Sequence, residues 1–180
     1  PFDQPDVQLA KELAKHSMDQ KVVKGGKPEK SDVETLQVEQ KIPLSKAFEA
    51  FLAGVRLGDY IAIQAYLAPD ADTEAALQEF RLLLRDRLKL ATSFAWGPRF
   101  LHSTGQLHKG GPNTAVFIQI VDEPEQDLAV PETNYTFGSL IHAQSLGDYR
   151  ALKQHGRRVL RINLGHDTAK GLGILSELLG

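Results

Sequence analysis

The sequence predicts an α/β fold: a mostly parallel sheet with helices on both faces, preceded by an N-terminal helix and a connector. Three observations carry that prediction. From residue 42 onward, apolar runs of strand length alternate with helical patterns, the order expected of strand-helix-strand units. The run Ala115-Val116-Phe117-Ile118-Gln119-Ile120-Val121 is apolar on both of its faces, as a strand covered by helices on both sides must be. The chain has 180 residues, 42% of them hydrophobic and 24% charged, which suits one ordinary domain with a short appendage.

The elements follow in order. Residues 6–18 are mostly helix formers, with Pro5 suited to a first helical position and Asp3 or Gln4 able to cap. On that helix Val7, Ala10, Ala14 and Met18 share an apolar stripe, and Lys11 lies at its edge. Residues 24–41 contain Gly25-Gly26, Pro28 and several charges and read as a connector, in which residues 33–39 have enough Val, Leu and Thr for a short edge strand. A helix is expected from Ser45 to about Arg56, then a turn at Gly58-Asp59 and a strand over 60–67. Residues 73–90 place Ala76, Leu77, Phe80, Leu83, Leu84 and Leu88 on one helical face, largely opposite Arg81, Arg85 and Lys89. A strand over 91–96, a glycine-rich turn region, the strand 115–121, a helix over 137–154, a strand over 158–163 and a closing helix over 168–179 complete the pattern. The domains are then a terminal helix (1–23), a connector (24–41) and an α/β domain (42–180).

Composition removes several function classes. Lys and Arg total 21 against 23 Asp and Glu, a formal net charge of -2 with scattered signs, so no concentrated basic face is offered to nucleic acid or a membrane surface. No apolar run approaches the roughly 18 residues of a membrane span. The absence of cysteine removes disulfides, thiol nucleophiles and cysteine-zinc sites, in keeping with a cytoplasmic protein. The only methionine is Met18 and the first residue is Pro1, which suggests a piece of a longer polypeptide.

In parallel sheets ligands lie beyond the carboxyl ends of the strands, and three places draw attention. After the strand 91–96 comes a loop dense in polar groups and glycine, from Gly97 to Asn113. If Ser103 or Thr104 caps a short helix there, its N–H groups and hydroxyls suit a phosphate, with Lys109 or Arg99 supplying charge. The same loop reads equally as a connection whose polar groups satisfy one another. His102 and His108, six apart with no cysteine or carboxylate between them, make a poor metal pair, so no metal is assigned. Asp122-Glu123, after the strand 115–121, suit sugar hydroxyls or merely a solvated strand end. Lys11 is the third place: desolvation at a stripe edge would lower its pKa and fit it for proton transfer, although such a lysine usually reaches out to water. His166-Asp167-Thr168 reads as the cap of the last helix, and Arg157, Arg158 and Arg161 as solvated charge beside a strand. No serine-hydrolase elbow, P-loop or dinucleotide fingerprint is present.

The run Phe2-Asp3-Gln4-Pro5-Asp6-Val7-Gln8-Leu9-Ala10-Lys11 resembles the C-terminal signature of glucose-6-phosphate isomerases at Phe2, Asp3, Gln4, Val7 and Lys11. It departs at Asp6, where the family usually has glycine, and at Gln8, where it usually has glutamate. The run from Phe100 to Thr114, Leu146-Gly147-Asp148-Tyr149 and Arg157-Arg158-Val159-Leu160-Arg161 look like the tail of bifunctional transaldolase/glucose-6-phosphate isomerases. The resemblance implies a sugar-isomerase-like or flavodoxin-like domain and interconversion of glucose 6-phosphate and fructose 6-phosphate, without metal or organic cofactor.

It places the ring-opening role on Lys11 and contact with the substrate phosphate on Gln4. His102 with Ser103 and Gln106 has some likeness to the family's histidine-containing loop. That loop normally precedes the lysine signature, so His102, Ser103, Thr104, Gln106 and Lys109 stand as candidate ligand contacts only. The glutamate base and phosphate-gripping loops of the family are not found in these residues. The implied partners are therefore a sugar phosphate and upstream isomerase and transaldolase domains, with the chain inactive alone. A noncatalytic domain that binds a sugar phosphate, or a structural α/β module, is the alternative.

Overall fold

The computed structural model describes residues 33–180 together with Glu12, which is helical and exposed. The expected roles of Gln4 and Lys11, and the greater part of the expected first helix and connector, lie outside the described residues. Five parallel strands form one sheet: β1 (Leu36–Gln37), β2 (Tyr60–Tyr66), β3 (Thr92–Trp96), β4 (Ala115–Val121) and β5 (Arg158–Asn163), in the order β1-β5-β4-β2-β3. The four longer strands keep the order of flavodoxin-like sheets, and β1 supplies the fifth position beside β5.

The helices are α1 (Lys41–Ala53), α2 (Ala71–Leu88), α3 (Thr104–Gly110), α4 (Phe137–Gln154) and α5 (Thr168–Glu177). Local chemistry sets their ends. Asp70 accepts from the Thr73 backbone N–H at 2.8 Å and starts α2, while Thr136 and Ser139 form a reciprocal capping box at α4. Asp167 accepts from the Lys170 N–H at 2.9 Å and caps α5, as the sequence predicts.

Strand alternation sends two different sets of side chains to the two faces. Ile61, Ile63 and Ala65 of β2, Val116, Ile118 and Ile120 of β4 and Ile162 of β5 join Leu44, Phe48, Leu77, Phe80, Leu84, Leu172 and Leu175 in one apolar cluster under α1, α2 and α5. The opposite face, under α3 and α4, carries a smaller cluster of Ala62, Phe117, Leu146, Tyr149, Leu152 and Val159. Val33 joins this second cluster and Val38 the first, so the described end of the expected connector packs against the sheet.

Two expectations change. The glycine-rich region after β3 contains a short 3₁₀ turn (Arg99–His102) and α3, because Phe100, Leu101 and His108 turn inward onto Tyr66 and Phe117. The arginines expected in solvent are drawn inward: Arg161 is 2% exposed, Arg157 is buried, and the half-buried Arg158 makes two hydrogen bonds to Asp59 at 2.6 and 2.8 Å. Arg161 sits at a position whose alternation points it under α4, and Asp59 closes the turn before β2 by accepting from the Arg56 N–H at 2.7 Å.

Candidate functional site

After β2 the chain runs through α2 to β3 on one side of the sheet, and after β4 it runs through α4 to β5 on the other. The carboxyl ends of β2 and β4 are paired neighbours, so these departures open a crevice between them. A cavity of about 230 Å³ occupies that crevice. Tyr66 at the end of β2 with Leu67 and Ala68 after it, Val121 at the end of β4 with Asp122 and Pro124 after it, and Phe137, Gly138, Ile141, His142 and Ser145 of α4 bound it. Gln126, Asp127 and Leu128, on the segment leading into α4, complete the wall.

Asp122 is the half-buried acid of the crevice. Burial raises its pKa above the ordinary carboxylate value, and the Thr168 hydroxyl donates to it at 3.3 Å, opposing part of that rise. A carboxyl in that setting can accept from a ligand hydroxyl or exchange a proton. Glu123 faces elsewhere, accepting from Asn163 Nδ2 at 2.6 Å, while its carbonyl lies 2.6 Å from His166 Nδ1.

Asp127 closes the start of α4. Its Oδ1 accepts from the Leu128 and Gly138 N–H groups, each at 2.8 Å, and bonds from Thr136 and these amides hold its pKa below the usual range. The lack of a side chain at Gly138 matters here, because a Cβ there would lie 2.6 Å from Asp127 Oδ2.

Beneath the cavity lies a buried polar row. Gln64 of β2, Gln119 of β4 and Arg161 of β5 are in register across the sheet. Arg161 donates to Gln119 Oε1 and, at 3.0 Å, to the Ser145 hydroxyl, while Gln119 Nε2 donates to the Ser145 carbonyl at 3.1 Å. Burial lowers the Arg161 pKa to about 10. Lys109 forms an ion pair with Asp148 in which the two side chains are 1% and 0% exposed. Tyr66 lies beside that carboxylate; burial, and then the Asp148 charge, push its pKa well above the ordinary phenol value. His108 is within 3.4 Å of Gln64 Nε2, and burial together with the positive charges of Lys109 and Arg157 lowers its pKa to about 4, so it is neutral at pH 7. Tyr66 and Ser145 belong both to this network and to the cavity wall, which joins the polar row to the crevice.

The residues singled out between Gly97 and Asn113 are divided by this arrangement. His102, Ser103 and Thr104 are exposed and Gln106 is half-buried, whereas Lys109, the expected source of positive charge, is enclosed and paired with Asp148. The Ser103 hydroxyl donates back to the Phe100 carbonyl at 3.2 Å and caps nothing in α3. Of the sequence candidates, Asp122 reaches the crevice. Sequence reasoning does not single out Tyr66, Asp127 and Ser145. One signal for the buried row is present in the sequence: Gln64 and Gln119 each interrupt an otherwise apolar strand, and a polar residue there needs a buried partner. Among the described residues no group of three or more His, Asp or Glu is placed to hold a metal ion, and no helix is long and apolar enough to cross a membrane.

No protein-family model matches the sequence, and no curated protein matches it. Among solved structures the chain is similar to a hypothetical protein from Thermus thermophilus, with 17% identity and a TM-score of 0.60. That likeness covers 98% of this chain and 43% of the other, so the chain spans less than half the length of its neighbour. At this identity the likeness is one of fold.

Proposed function

We propose that the chain is the C-terminal part of an aldose-ketose isomerase that interconverts glucose 6-phosphate and fructose 6-phosphate. In this reading the run from Phe2 to Lys11 supplies one edge of the reaction centre, and the α/β domain offers the crevice between β2 and β4 to a hydroxylated ligand. The observation that carries the reading is that run itself, joined in one chain to a parallel α/β domain.

The chemistry needs a proton carrier beside the ring oxygen to open the sugar, and a base to move a proton between adjacent carbons. Lys11 takes the first role, where an ammonium group hydrogen-bonded to the ring oxygen assists proton transfer and balances the charge that develops as the ring opens. Gln4, near the expected helix start, donates to the substrate phosphate. The carbon base and the main phosphate grip come from upstream domains of a longer protein, and neither metal nor organic cofactor takes part. A cytoplasmic location follows from the sugar phosphate substrate.

A second reading, a noncatalytic ligand-binding domain, is favoured by one observation: every described residue lining the cavity lies between positions 66 and 145, so the α/β domain itself supplies that lining. A coupled assay of fructose 6-phosphate isomerisation by the longer protein separates the two. The isomerase reading expects Lys11→Ala to lower kcat by about 10²-fold or more, the usual scale for a positioned acid-base group. Unchanged turnover would remove Lys11 from the reaction and leave the binding domain.

A further inference from the structure

We infer that the cavity between β2 and β4 takes a neutral, hydroxyl-rich ligand and excludes phosphate, because the Asp127 carboxylate already occupies the anion position at the start of α4. The inference rests on reading this crevice as a ligand site and adds the charge class of what enters it. In parallel α/β folds an anion at the strand-order reversal is held by the free N–H groups of the following helix. In α4 those groups are taken: Phe137 N–H donates to the Leu128 carbonyl at 2.9 Å, Gly138 N–H to Asp127 at 2.8 Å, and Ser139 N–H to the Thr136 hydroxyl at 3.2 Å. The side-chain-free Gly138 receives the carboxylate at a distance a methyl group would prevent.

The cavity wall points the same way. Among the described residues it includes two carboxylates, Asp122 and Asp127, and neither lysine nor arginine, so a phosphate there meets like charge. Leu67, Val121 and Ile141 provide apolar surface for the C–H faces of a polyol, and Asp122 provides an acceptor for its hydroxyls. Tyr66, also in the wall, is 2% exposed, and its phenol lies against the Asp148 carboxylate. The volume of about 230 Å³ is below the range of about 300–1,000 Å³ usual for drug-sized ligands and suits a monosaccharide or smaller polyol.

The test is amide NMR of the 180-residue chain titrated separately with D-glucitol and inorganic phosphate, repeated with Asp127→Ala and with Asp127→Asn, which removes the charge while keeping an acceptor. Glucitol is expected to shift the Asp122, Gly138 and Ser145 amides of the unsubstituted chain, and phosphate to leave them in place. Asp127→Ala should gain phosphate affinity at Gly138 by about tenfold or more, with Asp127→Asn between the two. Phosphate shifts at Gly138 and Ser139 with Asp127 intact would overturn the inference. So would failure of both variants to gain phosphate binding while glucitol still moves the crevice, and in either case the crevice would remain a ligand site. If neither probe moves the crevice in any variant, the reading of it as a ligand site falls, and the inference with it.

Discussion

Under α1, α2 and α5, β2, β4 and β5 present Ile61, Ile63, Val116, Ile118, Ile120 and Ile162 to a continuous apolar cluster. Under α3 and α4 the same three strands present Gln64, Gln119 and Arg161 in one row, with Lys109, Asp148, Ser145 and His108 packed against it. Both faces are shielded from water, yet burial does different things on them. On the first face it stabilises the fold in proportion to the area removed from water. On the second it penalises every charge and amide that lacks a partner, so stability there depends on completed pairs. The crevice opens on the second face, where Tyr66 and Ser145 connect its wall to the polar row.

The contrast is broken or sharpened by substitution on each face. The largest effect is expected at the buried ion pair. Asp148→Ala leaves Lys109 enclosed without its counter-charge and should cost about 3–5 kcal/mol in urea unfolding. Lys109→Met combined with Asp148→Leu should restore most of that loss; a double variant as unstable as the single one would show that charge pairing is not what holds this face together.

On the apolar face, Leu77→Ala should cost roughly 2–5 kcal/mol by removing a fully buried side chain. There the loss should add independently to that of a distant polar-face substitution, as measured in the combined variant.

His108 makes the contrast visible in pH. Its folded pKa of about 4 lies below the 6.5 of an unperturbed histidine, so the unfolded chain takes up the proton first as pH falls. Stability is therefore full above pH 6.5, declines between 6.5 and about 4, and levels off below, a change on the order of 3 kcal/mol. His108→Phe should flatten this part of the profile in unfolding experiments across that range.

The smallest effect is expected at the rim. Asp59→Asn weakens the pairing with Arg158, which with help from the Arg56 N–H lowers the pKa of Asp59 against the opposing effect of burial, and should cost about 1 kcal/mol in the same assay.

Much of the fold was legible because its signals are local. The strands 115–121 and 158–163 and the helix 137–154 form over those same residues, since strand-length apolar runs alternate there with helical patterns. The helix expected from Ser45 begins instead at Lys41, where Gln40 stands at the start without a side-chain cap bond. α3 was legible only as a conditional short helix starting at Ser103 or Thr104, because its seven residues contain two glycines and several polar groups, and His108 packs on Phe117. The site was less legible for the same reason. Lys109 reads as an exposed cation until Asp148, 39 residues later, is brought beside it. Arg161 reads as solvated until strand register sets it against Gln119. Asp122 was accessible to sequence reasoning because it directly follows a strand, the one positional rule that needs no knowledge of the partner strand.

Isothermal titration of the 180-residue chain with D-glucitol, comparing the unsubstituted chain with Asp122→Asn, tests most directly whether the crevice between β2 and β4 is where this domain meets its ligand. Binding should weaken about tenfold when the charged acceptor is lost, while the melting temperature holds or rises because a desolvated acid has been made neutral. Equal affinity for the two proteins, with binding lost instead on Ser103→Ala in the loop after β3, would contradict the account.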